Sequence, residues 1–215
     1  MLKYPSLFSE LKVGNKKLKN RICLCATVTN FAQNNRITES WRNFLLERAR
    51  GGAAMLVTEV IAVDPEAIAQ SSTITGFNQT NEAGFRQIAD DVHEEDSLIV
   101  GQLWHPGRQQ LWHPTKSPIG VSDLPDPYSG TVPHVMKTEE VLRVAESYVN
   151  TAKRLSDCGF DGVELHGAHG YLIMQFLSPA SNNREDMFGG GLEARTLFVR
   201  KIAEGIREKC RQDFI

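Results

Sequence analysis

The stretch GFDGVELHGAHGYLIMQFL, residues 159–177, holds the pattern from which the rest of the chain is interpreted. A short apolar strand leads into His166, and His169 and Tyr171 follow within five residues. Small residues surround them, and glycine lets a backbone turn tightly and lets a ligand approach closely. In parallel α/β proteins, chemistry concentrates at the carboxyl ends of strands. We therefore expect these three side chains to form a proton-handling corner just past a buried strand.

Composition and charge exclude several classes of protein. The 215 residues are 41% hydrophobic and 23% charged, which is typical of an ordinary globular protein. The net charge of -2 argues against a nucleic-acid partner, which needs a concentrated basic surface. The sequence has no apolar run of about 18 residues, as a membrane span requires, and its N-terminus is unlike a signal peptide. We expect a cytoplasmic protein that binds neither nucleic acid nor membrane.

The four cysteines are too few and too scattered for a disulfide framework. Cys23 and Cys25 alternate along a predicted strand and so share one of its faces. Two thiols do not complete a metal site, and no second Cys or His pair at metal spacing accompanies them. We interpret both as small buried apolar residues and expect no bound metal.

Apolar segments alternate with amphipathic ones along the chain. A hairpin is predicted in residues 7–22, turning at Gly14 and Asn15. A long proline-rich loop covers residues 106–137, and loops of this length are commonly functional. The order βαβαβαβα predicts a parallel sheet with right-handed crossovers. The predicted strands are 22–27, 53–57, 98–104 and 160–166, and the helices start near Thr38, Asn81, Thr138 and Gly191.

Two closures fit this order, an open doubly wound sheet and part of a (βα)8 barrel. The loop after the first strand lacks G-x-G-x-x-G, and G-x-x-x-x-G-K-[ST] occurs nowhere. A barrel would gather polar residues from several strand ends at one mouth, and we prefer it for that reason. The residues expected there are Thr27, Thr58, Glu59, Gln102, His105, His166 and His169.

Four segments resemble the Old Yellow Enzyme group of NADH:flavin oxidoreductases, which are FMN-containing (βα)8 barrels. They are LFSELKVGNKKLKNRI at 7–22, VGQLWHPGRQ at 100–109, SPIGVSDLP at 117–125 and the long segment 159–190. Only four βα units are found, whereas the family has eight. The resemblance therefore implies the N-terminal half of a barrel, with residues 1–215 forming a single partial domain that stops before the fifth strand.

The resemblance assigns the substrate side of the site to three residues. His166 and His169 match the pair that hydrogen-bonds the carbonyl oxygen of a substrate above the flavin. Tyr171 matches the tyrosine that protonates the substrate α carbon. Charge developing on the oxygen would be stabilised by the two imidazoles, and the phenol would act as a general acid.

The resemblance also assigns the flavin side. Gln102 matches a glutamine at the pyrimidine edge, although a neighbouring backbone group would equally satisfy a buried amide. Val60 matches a small residue near a flavin carbonyl, and Val28 stands where Thr or Cys is usual. A valine cannot tune the flavin through a hydrogen bond. The segment that matches the loop along the isoalloxazine is Ala26, Thr27 and Val28.

Other polar residues have plainer interpretations. His105 and Arg108 either rim the pocket or are solvated in a loop. Glu59 and Glu164 are strand carboxylates, which we interpret as structural and paired with a basic residue.

The predicted function is an FMN-dependent NAD(P)H oxidoreductase that reduces the C=C bond of α,β-unsaturated carbonyl compounds. Either NADH or NADPH is the expected reductant, and a small enone is the expected substrate. Two alternatives remain open, a flavin-dependent amine dehydrogenase and a non-catalytic half-barrel. Because the outer strands of a half-barrel have unpaired edges, we also expect self-association.

Overall fold

Strands and helices alternate along the chain in the order that the apolar pattern predicts. The computed structural model describes residues 3–110 and 116–215. In chain order the elements are β1 (Leu11–Val13), β2 (Lys16–Leu18), β3 (Cys23–Leu24), α1 (Glu39–Arg50), β4 (Met55–Ala62), β5 (Ile74–Thr75), α2 (Glu82–Glu94), β6 (Leu98–Trp104), β7 (Ile119–Gly120), β8 (His134–Val135), α3 (Thr138–Asp157), β9 (Gly162–Leu165), α4 (Leu172–Leu177) and α5 (Leu192–Lys209).

The main sheet joins its strands in the order β3-β4-β6-β9, and each of these pairs is parallel. Along this path each strand lies beside the one before it, with a helix in each crossover, and the short β5 adds a parallel pair to the end of β4. A doubly wound sheet reverses its order about a switch point, whereas a barrel adds strands in sequence. The fold is four βα units of a (βα)8 barrel, as the sequence predicts.

Two smaller pairs of strands lie outside the main sheet. β1 and β2 form the predicted hairpin, and Gly14 takes a φ of 57° at its turn. β7 and β8 form a short parallel pair inside the segment predicted as a loop. The long excursion after β6 is therefore partly ordered by its own backbone pairing.

Strand β4 is longer than the sequence predicts. Thr58 and Glu59 are predicted at its carboxyl end, but they lie inside it. The ladder to β6 shifts register between Val57 and Val60, where two residues of β4 oppose a single residue of β6. Such a β-bulge bends the strand and re-aims its side chains.

The Thr58 side chain repairs the ladder at this bulge. Its hydroxyl accepts the Gln102 backbone N–H at 3.2 Å and donates to the Glu59 carbonyl at 2.8 Å. Thr58 is fully buried, so water cannot serve these backbone groups in its place. The residue expected at the barrel mouth is structural.

The helix caps agree with the sequence in one case and differ in another. Thr38 caps α1, since its hydroxyl accepts a first-turn N–H at 3.3 Å. Thr138 is predicted to cap α3, but its hydroxyl donates to Asp186 at 2.8 Å. The cap position belongs to Lys137, whose N–H donates to the Glu140 carboxylate at 2.7 Å. The Glu140 carboxylate therefore satisfies the backbone N–H of the cap residue itself.

The core lies between the sheet and its helices. Phe85 of α2 meets Phe160 edge-on at a centroid distance of 5.6 Å. Phe176 stacks on Phe198 of α5 at 4.3 Å, and both are buried. Phe176 belongs to α4, a short helix in a segment that the sequence analysis treats as a loop. This packing anchors α4 immediately after the 166–171 segment.

The predicted burial of Cys23 and Cys25 is wrong, because both side chains are exposed. Cys23 lies in β3 and Cys25 follows that strand. β3 pairs with β4 alone among the described strands, so one of its edges has no described neighbour. The self-association expected from such edges stays a prediction, which light scattering measures. Among the helices within 3–110 and 116–215, none has the length and apolar character needed to cross a bilayer.

A buried carboxylate, Asp161, ties together the amino-terminal side of the sheet. It lies 3.1 Å from Lys16 Nζ of the hairpin and 2.8 Å from His93 Nε2 of α2. It also accepts the Ile99 N–H of β6 at 2.9 Å. Its side chain is 4% exposed, so these partners replace most of its hydration. The hairpin, a helix and the sheet therefore share one charged centre.

We expect this centre to make stability depend on pH through His93. The hydrogen bond that His93 donates to the Asp161 carboxylate raises the pKa of His93 above its ordinary value. The contribution of protonated His93 to the free energy of unfolding is therefore fully present below its unfolded-state pKa. This contribution is lost as the pH rises through its folded-state pKa. Urea unfolding between about pH 5 and pH 9, which brackets ordinary histidine titration, measures this. His93→Gln should flatten that part of the profile, and an unchanged profile would contradict the assignment.

Candidate active site

A cavity of about 420 Å³ opens near the carboxyl ends of β4, β6 and β9. This volume lies within the range of small-molecule sites. Of the residues that the family resemblance assigns to the site, all except Thr27 line it. The Thr27 hydroxyl instead donates to the Cys25 carbonyl at 3.2 Å. The predicted lining residues are Ala26, Val28, Val60, Gln102, His166, His169 and Tyr171.

Several polar residues of the lining are not predicted from the sequence. Asn30 accepts from Gln70 Nε2 at 2.6 Å and from the Ser72 hydroxyl at 2.9 Å. These come from two loops with no recognisable motif, so no sequence signal identifies them. Trp104 also lines the cavity, and its spacing of two from Gln102 along β6 could have predicted it.

His166, His169 and Tyr171 form one aromatic cluster on the cavity wall. The ring of His166 lies 5.1 Å from that of His169 and 4.9 Å from that of Tyr171, with edge-on geometry. The His166 N–H donates to the Leu103 carbonyl at 3.0 Å, which fixes the cluster to β6. Tyr171 also meets Trp104 edge-on at 5.3 Å. The three side chains expected at this corner therefore lie together.

The hydrogen-bond partners of the ring nitrogens determine the tautomers of the two imidazoles. The Ala168 N–H donates to His166 Nδ1 at 3.4 Å, so neutral His166 has its proton on Nε2. That Nε2 lies 3.3 Å from His169 Nδ1 and donates to it. Neutral His169 then has its proton on Nε2. His169 Nε2–H is thus the donor left for a bound molecule.

Burial is the main cause that lowers the pKa of His166, and the neighbouring His169 lowers it further. His166 therefore stays neutral at pH 7, in agreement with the tautomers above. A neutral imidazole holds one donor and one acceptor, whereas a protonated one would repel its partner. The pair is suited to hydrogen bonding rather than to holding a positive charge.

The turn between the histidines and Tyr171 has an unusual backbone. His169 takes a φ of 57° and Gly170 a φ of 75°. The left-handed region is uncommon for a residue with a side chain. Gln109 Nε2 donates to the His169 carbonyl at 3.0 Å and holds the turn from the neighbouring loop.

Gly170→Ala is expected to destabilise the chain by about 2 kcal/mol. Left-handed backbone costs an alanine about 1–2 kcal/mol. The added Cβ would lie 2.4 Å from Gln109 Nε2 and displace the bond to His169, which adds about 1 kcal/mol. The control is Gly190→Ala, where φ is 84° but no atom lies within 4 Å. Urea unfolding should place Gly170→Ala below the control, and equal losses would argue against the contact.

Among the described residues, neither strand carboxylate is paired with a basic side chain, so the predicted pairing is wrong there. Glu59 is buried and accepts from the Thr29 N–H at 3.3 Å and from the Thr29 hydroxyl. Burial raises the pKa of Glu59 despite these bonds. Glu164 accepts from Gln102 Nε2 at 2.6 Å. Glu59 therefore fixes the loop after β3, and Glu164 orients the Gln102 amide.

His105 and Arg108 are not part of the cavity lining. His105 is 1% exposed, and its Nδ1 accepts the Gly107 N–H at 3.0 Å. Burial lowers its pKa to about 4, so it is neutral. Arg108 donates to the Leu124 carbonyl at 3.3 Å. Both residues instead shape the loop after β6.

Comparison with known proteins identifies the family. The profile of the NADH:flavin oxidoreductase / NADH oxidase family matches residues 6–215. The chain belongs to this family. Enzymes of this kind use FMN with a reduced nicotinamide nucleotide, and a morphinone reductase has been solved with tetrahydroNAD. The resemblance to the Old Yellow Enzyme group is confirmed.

Similar sequences and structures extend over nearly the whole chain. An NADH oxidase of Thermoanaerobacter brockii is 34% identical over 100% of this chain and 34% of its own length. A metal reductase of Desulforamulus reducens is 33% identical over 97% of this chain and 31% of its own length. A 2-naphthoyl-CoA reductase solved with 2-naphthoyl-CoA superposes with a TM-score of 0.92 at 27% identity, over 99% of this chain and 35% of that chain. The chain thus spans about a third of these proteins.

The cavity of this family member suits the ring system of FMN. Ala26, Val28 and Val60 give an apolar side on which a flat ring can lie. Gln102 donates its amide N–H to Glu164, which leaves its carbonyl oxygen for a ring N–H. The described lining contains no lysine or arginine, so this cavity holds no cation for the phosphate. These residues fit the isoalloxazine and not the phosphate end.

Proposed function

We propose that the chain supplies the substrate side of an FMN-dependent NAD(P)H oxidoreductase that reduces the C=C bond of α,β-unsaturated carbonyl compounds. The observation that carries the proposal is the cluster of His166, His169 and Tyr171 on the wall of a cavity whose other side is apolar. When bound, FMN would supply the hydride for such a reduction. The chain's own residues hold the oxygen and supply the proton.

The histidines bind the carbonyl oxygen of the substrate. His169 Nε2–H donates to this oxygen directly, because its Nδ1 is already the acceptor for His166. His166 donates as well once its own N–H turns away from His169. Negative charge that develops on the oxygen is stabilised by these donors. A neutral His166, favoured by its lowered pKa, leaves the pair free of like-charge repulsion.

Tyr171 supplies the proton to the α carbon. Its ring is held edge-on by Trp104 at 5.3 Å and by His166 at 4.9 Å. Two perpendicular neighbours limit the rotation of the ring and so direct its hydroxyl. A general acid that is held in position contributes about 10²–10⁴-fold to a rate.

The test is a titration of the purified chain with FMN, followed by an assay with NADH or NADPH and 2-cyclohexen-1-one. Quenching of flavin fluorescence reports binding, and gas chromatography reports the saturated ketone. The proposal expects saturable binding and product formation with at least one nucleotide. The cavity lacks a cation for the phosphate, so riboflavin should compete with FMN more effectively than inorganic phosphate does.

Two outcomes would favour the alternatives. Flavin binding with oxidation of an amine, and no reduction of the enone, would favour an amine dehydrogenase. A colourless preparation that does not quench flavin fluorescence would favour a non-catalytic half-barrel.

A further inference from the structure

Gln175 connects the loop after β6 to the turn that carries His169 and Tyr171. We propose that Gln175 is a positioning residue, which sets the relative placement of His169 and Tyr171 through the backbone of Gly170. Its importance for catalysis rests on the proposed function. The geometric part stands without it and can be tested without flavin.

Every hydrogen-bonding group of the Gln175 side chain has a partner. It lies on α4 and is 1% exposed. Its Nε2 donates to the Gly170 carbonyl at 2.7 Å and to the Pro106 carbonyl at 3.0 Å. Its Oε1 accepts the Arg108 N–H at 3.2 Å. Both amide hydrogens and the carbonyl are used, so no apolar side chain of similar volume replaces it.

The loop after β6 is shaped to receive this amide. Gly107 takes a φ of 59°, and a Cβ there would lie 2.4 Å from Gln175 Oε1. A glycine is therefore needed for the close approach. A separate bond from the Leu172 N–H to the His105 carbonyl, at 3.1 Å, joins the same two segments.

The turn itself needs an external restraint. His169 is in the left-handed region, which costs a residue with a side chain about 1–2 kcal/mol and persists when its surroundings hold it. Two consecutive carbonyls of the turn are each held by a glutamine amide. Gln109 holds that of His169, and Gln175 holds that of Gly170. The peptide between Gly170 and Tyr171 therefore cannot rotate without breaking a buried hydrogen bond.

A merely structural role would give a different result, and the chain offers a matched control. Gln110 is 7% exposed, and its Nε2 donates to the carbonyls of Glu66 at 2.9 Å and Ile68 at 2.8 Å. It is thus a second buried glutamine that bridges two backbone carbonyls. The residues it bridges belong to the loop after β4 and not to the histidine turn.

The experiment compares wild type, Gln175→Met, Gln175→Glu and Gln110→Met by NMR of ¹³C-labelled histidine and tyrosine rings. Glutamate keeps the shape and the acceptor for Arg108 but, when ionised, loses both donors. Resonances of His166 and His169 are assigned with His166→Asn and His169→Asn. The readouts are ring-to-ring NOEs within the cluster, the His166 titration and the urea midpoint.

We expect both methionine variants to lower the urea midpoint. Gln175→Met and Gln175→Glu should also weaken the NOEs between His169 and Tyr171 and shift the His166 titration upward, whereas Gln110→Met should leave both as in wild type. Wild-type NOEs and titration in folded Gln175 variants would overturn the proposal. Failure of both Gln175 variants to fold would also overturn it, since the residue would then serve the fold as a whole. None of these measurements depends on flavin binding. A failure of the proposed function can therefore be distinguished from a failure of the positioning role.

Discussion

Tyr171→Phe should reduce the turnover of an enone by about 10²–10⁴-fold, the usual contribution of a general acid. The substitution removes the hydroxyl and keeps the ring. The edge-on contacts with Trp104 and His166 therefore persist, and the cavity keeps its shape. Binding of flavin should be unchanged, because the apolar side formed by Val28 and Val60 is untouched. Steady-state assays with a cyclic enone, together with flavin fluorescence titration, separate the two effects.

The matched control is Tyr128→Phe. Tyr128 is 85% exposed on the long loop after β6 and contributes nothing to the cavity lining. The Tyr128→Phe variant should turn over the enone at the wild-type rate. If Tyr171→Phe kept wild-type turnover, the proton would have to come from water or from another side chain, and the proposed role of Tyr171 would fail.

Asp161→Asn should destabilise the chain by about 3 kcal/mol, since it removes the buried carboxylate of a charged cluster. Asparagine keeps the size of the side chain and can still accept the Ile99 N–H. Lys16 and His93, however, lose the carboxylate that both contact, and Lys16 keeps only the exposed Asp213 among the residues that the structure describes. The hairpin and α2 should then loosen together. Urea unfolding at pH 7 measures the loss, and hydrogen exchange should locate it in β1, β2 and α2.

Asp213→Asn is the control for this prediction. Asp213 also lies 2.6 Å from Lys16 Nζ, but its side chain is 47% exposed. An exposed pair contributes about 0–1 kcal/mol, because water screens it. A loss as large as that of Asp161→Asn would mean that the charge on Lys16, and not burial of the shared carboxylate, determines the stability.

The topology and much of the cavity lining could be predicted because they depend on local patterns. Strands that alternate with helices determine a parallel sheet, and the glycine-rich turn after β9 marks the place where His166, His169 and Tyr171 gather. The capping of α1 by Thr38 follows from the same kind of local rule. Such features need only a few neighbouring residues to be recognised.

Features that depend on distant partners could not be predicted. Glu59 satisfies its carboxylate with Thr29, and Glu164 with Gln102, although a basic partner was the simplest expectation. The Thr138 hydroxyl donates to Asp186, far along the chain, and does not cap its helix. In each case the hydrogen-bond partner is distant in sequence, so only the three-dimensional arrangement identifies it.

Because of its bulge, β4 should tolerate a deletion less well than a substitution. A regular strand sends consecutive side chains to opposite faces, yet Glu59 and Val60 both line the cavity, and Ile61 is fully buried. Deleting Thr58 or Glu59 would leave Val57 opposite Val100 and Val60 opposite Gln102, so the ladder beyond the bulge could keep its register. The deletion would, however, remove either the hydroxyl that accepts the Gln102 N–H or the carboxylate that accepts the Thr29 N–H. In a library of random variants, single-residue deletions here should be depleted even at positions that tolerate many substitutions.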